Sequence, residues 1–150
     1  MRACTCTPTM ITRYQGRISG PLLDRIDLHV DVPRVEYDKL MGDERSESSA
    51  VVRERVMMAR ARQHERFVGL AGVFANADMN AGQVQKLCVL MSEAKQLLDI
   101  SVRRMQLSAR AYHRVLKLSR TIADLADCDL IEVQHVAEAV QYRPKPAIGG

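Results

Sequence analysis

Only one stretch of this 150-residue chain alternates apolar and polar side chains in the manner of a β-strand. The apolar positions are Ile26, Leu28, Val30 and Val32, and they are separated by Asp27, His29 and Asp31. This period of two residues predicts a strand with one buried face. A sheet needs at least two paired strands, so this strand must join a sheet elsewhere or remain unpaired. The rest of the chain is therefore expected to be helical.

Apolar residues recur with a helical period through most of the remaining chain. The predicted fold class is mainly α: a helical bundle preceded by one short strand. Short helices are predicted at Thr9–Gln15 and Pro21–Arg25, and longer ones at about Ser48–Phe67, from a cap at Asp78 or Asn80 to Leu90, from Ser92 to Met105, from Ser108 to Ala126, and within 131–143. The first long helix is predicted to be amphipathic and solvent-facing, with Val52, Val56, Ala59 and Gln63 on one face. The last helix has a predicted buried stripe of Val133, Val136, Ala137 and Val140.

The helix predicted to begin after Ser108 combines an apolar seam with a basic stripe. The seam consists of Ala111, Val115, Leu118, Ile122 and Leu125, and the stripe consists of Arg110, Arg114 and Lys117. Residues 101–120 contain six Lys or Arg and no acidic residue, whereas residues 121–140 contain five Asp or Glu and no Lys or Arg. Arg114, Lys117 and Arg120 are therefore interpreted as a solvated face that pairs with the acidic helix. Contact of Arg114 and Lys117 with phosphate or DNA is the alternative.

Arg110 differs from these residues because it lies in the first turn of the predicted helix. Unpaired backbone N–H groups and the helix dipole make that end electropositive. A cation there is unfavourable unless an anion docks beside it. The position therefore predicts a bound anion at Arg110.

Four cysteines are too few for a disulfide scaffold in a chain of this length. Cys88 and Cys128 lie in apolar helical patterns and are predicted to be reduced core thiols. Cys4 and Cys6 could supply two of the four ligands of a structural zinc site, although no second pair completes it. The alternative for these two residues is a pair of exposed thiols at the chain end.

Composition narrows the class of partner. The net charge of +4 permits nucleic acid or nucleotide phosphate, and 4% aromatic residues with no Trp argue against a base-stacking platform. No apolar run is long enough for a membrane span, and no apolar segment follows the N-terminal charge as in a signal peptide. The sequence therefore predicts a cytoplasmic protein without a membrane partner.

Two stretches, "CTCTPTMITRYQGRISGPLLDRIDLHVDVP" and "LSARAYHRVLKLSRTIADLADCDLIEVQHVAEAVQYR", resemble the C-terminal part of the magnesium-chelatase-like AAA+ ATPases, specifically the competence-related ComM/YifB group. The resemblance implies that residues 1–33 are the end of an ATPase core, 34–45 a linker and 46–143 a helical lid, with a disordered tail at 144–150. It also implies that Arg25 is an arginine finger acting in trans and that Arg110 is the second phosphate sensor. ATP and Mg²⁺, an oligomeric ring expected to be a hexamer, and a possible DNA-remodelling role in competence or recombination would belong to the intact parent.

The chain lacks the P-loop G-x-x-x-x-G-K-[ST], and no Gly-Lys-Ser/Thr occurs in it. The chain alone is therefore expected not to be an enzyme, and it resembles a fragment that needs the rest of its ATPase. The alternative is a free-standing helical domain that binds nucleic acid, with the helices after Ser92 and Ser108 as a helix-turn-helix. Sequence readout by such a domain looks poor because Ala109, Ala111 and Tyr112 flank Arg110 in the first turns.

Overall fold

The computed structural model describes residues 5–33 and 47–143. The predicted linker 34–45 and tail 144–150 lie outside these ranges. The described residues form seven α-helices and one 3-10 turn, and they contain no β-sheet. The helices are α1 (Pro8–Gln15), α2 (Gly20–Leu23), α3 (Ser49–Arg66), α4 (Ala81–Leu87), α5 (Ser92–Met105), α6 (Ala109–Leu125) and α7 (Val133–Gln141), and the 3-10 turn is Asn76–Asp78. The predicted mainly α-helical fold is confirmed.

Side-chain caps set the beginnings of three long or central helices. Ser48, Asn80 and Ser108 each accept a hydrogen bond from a backbone N–H three residues later, at the starts of α3, α4 and α6. Ser92 is the first residue of α5 rather than its cap, because Met91 occupies the cap position. The loop after α3 turns through Gly69 and Gly72, whose φ angles of 81° and 77° favour glycine.

Helix α6 lies at the centre of the bundle and contacts α3, α4, α7 and the 3-10 turn, while α5 packs on α7. Because α6 has neighbours on several sides, its buried surface is wider than the predicted seam. Ala111 and Val115 are buried as predicted, but Leu125 is 39% exposed. The remaining buried positions of α6 are Leu116, Ser119, Arg120, Ala123 and Asp124.

Two further helices differ in part from the sequence prediction. In α3 the buried residues are Ala59 and Gln63, whereas Val52 and Val56 of the same predicted face are exposed. In α7 the buried residues are His135, Val136 and Ala139, and Val133 is exposed.

The prediction that α4 continues to Leu90 is wrong, because the helix ends at Leu87. Residues after Leu87 become extended, and Leu90 forms an isolated parallel bridge with Ile131. Ile131 donates its N–H to Val89 O at 2.9 Å and accepts from Met91 N–H at 3.0 Å. This pairing ties the α4–α5 connection to the loop that precedes α7.

The strand predicted from Ile26 to Val32 does not form. The segment has no strand partner among the described residues, and its predicted buried face is exposed: Ile26 by 39%, Leu28 by 48%, Val30 by 64% and Val32 by 87%. Among the described residues, one bond between backbone groups, from His29 N–H to Tyr142 O at 2.9 Å, links it to the bundle. Periodicity indicated an extended conformation, but a sheet also requires a second strand.

Candidate functional site

The N-terminus of α6 places Arg110 in an electropositive position. Ser108 caps the helix by accepting the N–H of Ala111 at 3.1 Å, and no acidic residue occupies the first turn. Arg110 is the second residue of α6 and is exposed. Within residues 5–33 and 47–143, its side chain has no ion-pair partner at salt-bridge distance.

A carboxylate from the N-terminal segment lies at the same helix end. The Ser108 hydroxyl is 3.2 Å from each carboxylate oxygen of Asp24 and can donate a hydrogen bond to it. The negative charge favoured by the helix dipole is thus supplied by the chain itself. A bound phosphate beside Arg110 remains a prediction.

Arg25 follows directly after Asp24, at the end of α2. Its backbone N–H bonds Leu22 O at 2.9 Å, and its Nη1 donates to Pro21 O at 2.9 Å. The residue is exposed, and it forms no ion pair within the part of the chain that the structure describes. Its guanidinium therefore retains donors for an external acceptor.

Arg114 and Lys117 are both engaged in contacts within the chain. Arg114 donates through Nη1 to Asp24 O at 3.0 Å and pairs through Nε with Asp27 at 3.1 Å. Lys117 Nζ donates to Ala77 O at 2.7 Å. The two side chains line a cleft of about 210 Å³ with Asp27 and Ala77. Their contact with phosphate or DNA remains a prediction.

Arg120 is not on a solvated face, contrary to the sequence interpretation. It is 1% exposed, and its Nε donates to Asp124 Oδ1 at 3.1 Å. Burial lowers the pKa of Arg120, opposed by the nearby charge of Asp124. The spacing of four residues between Arg120 and Asp124 in a predicted helix could have indicated this ion pair from the sequence.

Asp124 also binds residues outside α6. Its carboxylate accepts from Arg66 of α3 at 2.8 Å and from Asn76 Nδ2 at 2.8 Å. Asn76 in turn receives a hydrogen bond from Arg66 Nη1 at 2.9 Å and donates to Thr121 at 3.1 Å. This buried polar network joins α3, the 3-10 turn and α6. Sequence reasoning missed it because Arg66 and Asp124 are far apart along the chain.

The predicted zinc half-site at Cys4 and Cys6 stays a prediction, because only one of its two residues is described. Cys4 lies outside the described residues, and Cys6 is exposed. Cys88 is buried, which raises the pKa of its thiol to about 11 and keeps it neutral and unreactive near pH 7. Cys128 is half-buried.

One trio near the start of α7 has metal-ligand chemistry. One ligand atom each from Cys128, Glu132 and His135 lies within 4.8 Å of the others. His135 Nδ1 accepts the Glu132 N–H at 3.0 Å, so the neutral imidazole is inferred to have its hydrogen on Nε2. Because the imidazole lone pair that a metal would need is already engaged, the arrangement favours a helix cap over a metal site.

The helices within the described ranges include none long and apolar enough to cross a membrane.

Family models match two parts of the chain. The model described as magnesium chelatase, subunit ChlI C-terminal, matches residues 46–143, and the model for magnesium chelatase, subunit ChlI, matches residues 1–40. The first match contains α3 to α7, and the second contains Arg25.

Curated relatives extend this similarity over most of the chain. Competence protein ComM of Haemophilus influenzae is 43% identical over 138 residues, which are 91% of this chain and 26% of the relative. The protein YifB of Escherichia coli is 42% identical over 92% of this chain and 26% of its own length. An uncharacterized protein of Mycobacterium tuberculosis is 32% identical over 93% of this chain and 27% of its own length.

The chain thus spans about a quarter of the length of the curated relatives that it matches. The two matched regions and the helical fold agree with the resemblance of the two terminal motifs to the magnesium-chelatase-like ATPases. The chain belongs to the magnesium chelatase ChlI family and is a C-terminal module of this AAA+ group, similar to ComM and YifB.

Proposed function

We propose that this chain is the lid and arginine-finger module of a ring-forming ATPase, in which Arg25 and Arg110 contact ATP phosphates. Arg25 acts in trans on the nucleotide of the neighbouring subunit, and Arg110 acts in cis on the nucleotide of its own subunit. The rest of the parent supplies the P-loop and the Mg²⁺ ligands. The name of one relative, Competence protein ComM, supports a role of the parent in competence, and we propose that this role is the remodelling of DNA.

One observation carries the assignment of the two arginines. Five Lys or Arg residues occur in the motifs "PLLDRID" and "SARAYHRVLKLSR". Arg114, Lys117 and Arg120 bind groups within the chain. Arg25 and Arg110 differ from these three because they are exposed and, among the described residues, have no acidic partner and no side-chain hydrogen bond to another element: the one side-chain hydrogen bond of Arg25 is to Pro21 O in its own turn. Their guanidinium groups are therefore available for the phosphate oxygens of a nucleotide.

Both arginines would act by electrostatic stabilisation of the transferred phosphoryl group. ATP supplies a transferred phosphoryl group whose oxygens gain negative charge, and a planar guanidinium can span two of those oxygens. Arg110 extends from the positive end of α6, where backbone dipoles favour an anion and the carboxylate of Asp24 offsets part of that attraction. Arg25 follows a short helix and can reach outward from the chain surface.

The alternative, a free-standing nucleic-acid-binding domain, receives less support from these contacts. This alternative would place the basic residues from Arg103 to Arg120 on phosphates, but Arg114, Lys117 and Arg120 are bound within the chain. Arg103, Arg104 and Arg110 remain exposed, which leaves a smaller surface for phosphate contacts.

A subunit-mixing experiment tests the proposal. The 150 residues replace the matching C-terminal part of YifB, and a second version of this chimera has the expected P-loop lysine replaced. Arg25→Ala and Arg110→Ala should each abolish ATP turnover, since a finger contributes on the order of 10³ to 10⁵ in rate. Mixing Arg25→Ala with the P-loop variant should restore turnover, because an intact finger then meets an intact P-loop. Mixing Arg110→Ala with the same P-loop variant should restore no ATP turnover.

Matched controls are other exposed arginines, Arg17→Ala in the N-terminal segment and Arg104→Ala at the end of α5, which should keep full turnover. If the two mixtures behave alike, the cis and trans assignment is wrong. If Arg25→Ala and Arg110→Ala turn over ATP like the controls, the proposed function is wrong.

A further inference from the structure

The helical turn that bears Arg110 is closed by two hydrogen bonds to Ser108. The Ser108 hydroxyl oxygen accepts the N–H of Ala111 at 3.1 Å, and the Ser108 carbonyl oxygen accepts the N–H of Tyr112 at 2.9 Å. Arg110 lies in the chain between this acceptor residue and the two donors. The order of the first turn of α6 therefore depends on the cap that Ser108 provides.

The direction of Arg110 is set by the burial of the residue that follows it. Ala111 is 1% exposed, so it fixes which side of the first turn faces the core. Consecutive residues of an α-helix are about 100° apart around its axis, which leaves Arg110 at the surface beside the buried side. If the first turn frays, Ala111 no longer holds Arg110 to that orientation.

The chain that enters this turn is itself held in place. Gln106 ends α5 in the left-handed conformation, with a φ of 50°, and the amides of Gln106 and Leu107 both donate to Val102 O. The side chain of Leu107 packs on the core. Ser108 follows directly, so its backbone is fixed by the end of α5, and its hydroxyl extends this order to the first turn of α6.

The chemical type of the cap matters at this position. Asp caps a helix about as well as Ser does, and its charge is favourable at a helix N-terminus. Yet the cap lies two residues before Arg110, and the first turn of α6 contains no acidic residue. The carboxylate of Asp24 is already 3.2 Å from the Ser108 hydroxyl. A second carboxylate would repel both Asp24 and a phosphate at Arg110, whereas a hydroxyl orders the turn without added charge.

We propose that Ser108 is a positioning residue for Arg110 and that the cap at this position has to be uncharged. This inference rests on the proposed function of Arg110 and deepens it. Ser108 acts on ATP only through Arg110: the closed turn holds the guanidinium where the nucleotide of the same subunit is bound. A frayed turn lowers the fraction of subunits in which Arg110 has that position.

The first test measures amide hydrogen exchange in the 150-residue chain. Ser108→Ala should speed exchange at Ala111 about fivefold, as expected for the loss of a typical helix cap. Ser108→Thr and Ser108→Asp keep an oxygen acceptor and should stay within about twofold of the wild-type rate. Ser48→Ala is the matched control, because it removes the same kind of cap from α3. It should speed exchange at Val51 and leave Ala111 unchanged.

The second test measures ATP turnover in the chimera. Ser108→Ala should lower kcat about fivefold or more, whereas Ser108→Thr and the control Ser48→Ala should keep wild-type kcat and KM. Ser108→Asp should keep kcat but raise KM for ATP about fivefold or more, and added salt should reduce this difference by screening the charge. Asp at this position cannot donate to Asp24, so a retained kcat assigns the effect of Ser108→Ala to the cap.

Each part of the proposal can fail separately. Unchanged exchange at Ala111 in Ser108→Ala, or faster exchange with wild-type turnover, would overturn the positioning role. Equal losses of turnover in Ser108→Ala and Ser48→Ala would overturn it too, because they would indicate general destabilisation. A wild-type KM for Ser108→Asp would overturn the requirement for an uncharged cap. Normal turnover of Arg110→Ala would instead refute the proposed function, and the role of Ser108 with it, whatever the exchange rates.

Discussion

Asp124 is the residue on which the buried polar network depends. Two arginines from different helices, Arg66 and Arg120, bind its carboxylate inside the bundle. Taking such charges out of water is unfavourable unless they are paired and hydrogen-bonded. Here Asn76 and backbone carbonyls of the loop before α7 complete the set of partners. The network fixes how α3 and that loop sit on α6.

Replacing this carboxylate should therefore destabilise the fold strongly. Asp124→Asn keeps the shape but leaves the buried guanidinium of Arg120 and the partly buried one of Arg66 without a counter-charge, and we expect a loss of about 3–5 kcal/mol in the free energy of unfolding. Urea denaturation followed by circular dichroism measures the change.

Asp127→Asn is the matched control for this prediction. Asp127 pairs with Arg62 at the surface, is 68% exposed on its side chain and has a φ of 58°, which asparagine tolerates. We expect this change to cost about 0–1 kcal/mol. A loss for Asp124→Asn as small as the loss for Asp127→Asn would show that the network does not stabilise the bundle.

At the level of elements, the N-terminal half of α3 has little tertiary support. Ala59 and Gln63 are its buried residues, whereas Val51, Val56 and Met57 are all exposed. A helical segment of about ten residues is marginal in water without packing. The stability of α3 should thus increase toward its C-terminus, where Arg66 joins the polar network.

Hydrogen exchange along α3 tests this gradient. Amides of residues 53–58 should exchange about tenfold or more faster than those of residues 63–66, since local opening needs no loss of buried contacts at the exposed end. Val56→Gln should change the free energy of unfolding by no more than about 0.5 kcal/mol, as is usual for an exposed position. Uniform protection along the helix would contradict the prediction and indicate a partner surface for the N-terminal half.

The elements also differ in how well the sequence predicted them. The helix after Ser108 was placed correctly at its beginning, and Asn80 was one of the two caps predicted for α4, because capping is local chemistry. The end of α4 and the fate of residues 26–32 were not predicted correctly, since both depend on pairing with distant backbone. Arg120 was misplaced for a similar reason: a charged residue looks solvated until its partners on other elements are known.

In the candidate site, too, local motifs were found from the sequence, whereas contacts between distant residues were not. The terminal motifs identified the family and singled out Arg25 and Arg110 from the sequence alone. The contacts that connect them, through Asp24 and Ser108, join residues 84 positions apart. No local pattern of spacing or charge could have indicated that connection.

On the scale of the whole molecule, the chain has the two arginines that we propose as phosphate ligands but lacks the P-loop motif. Its sequence contains no P-loop, whose backbone N–H groups and lysine hold the β- and γ-phosphates, and it shows no Gly-Lys-Ser/Thr at all. An exposed guanidinium attracts a phosphate only weakly in water because solvent and salt screen the charge. Arg110 also shares its helix end with the carboxylate of Asp24, which repels an incoming anion.

The 150-residue chain by itself should therefore bind ATP with a Kd of about 1 mM or weaker and hydrolyse none of it. Isothermal calorimetry and phosphate release measure the two quantities, and Arg110→Ala is the matched variant. A micromolar Kd that this variant loses would mean that the helix end alone forms a nucleotide site. Weak binding in both proteins, together with lost turnover for Arg110→Ala in the chimera, would place the role of Arg110 in the closed ATPase, where the missing cradle brings the phosphates to it.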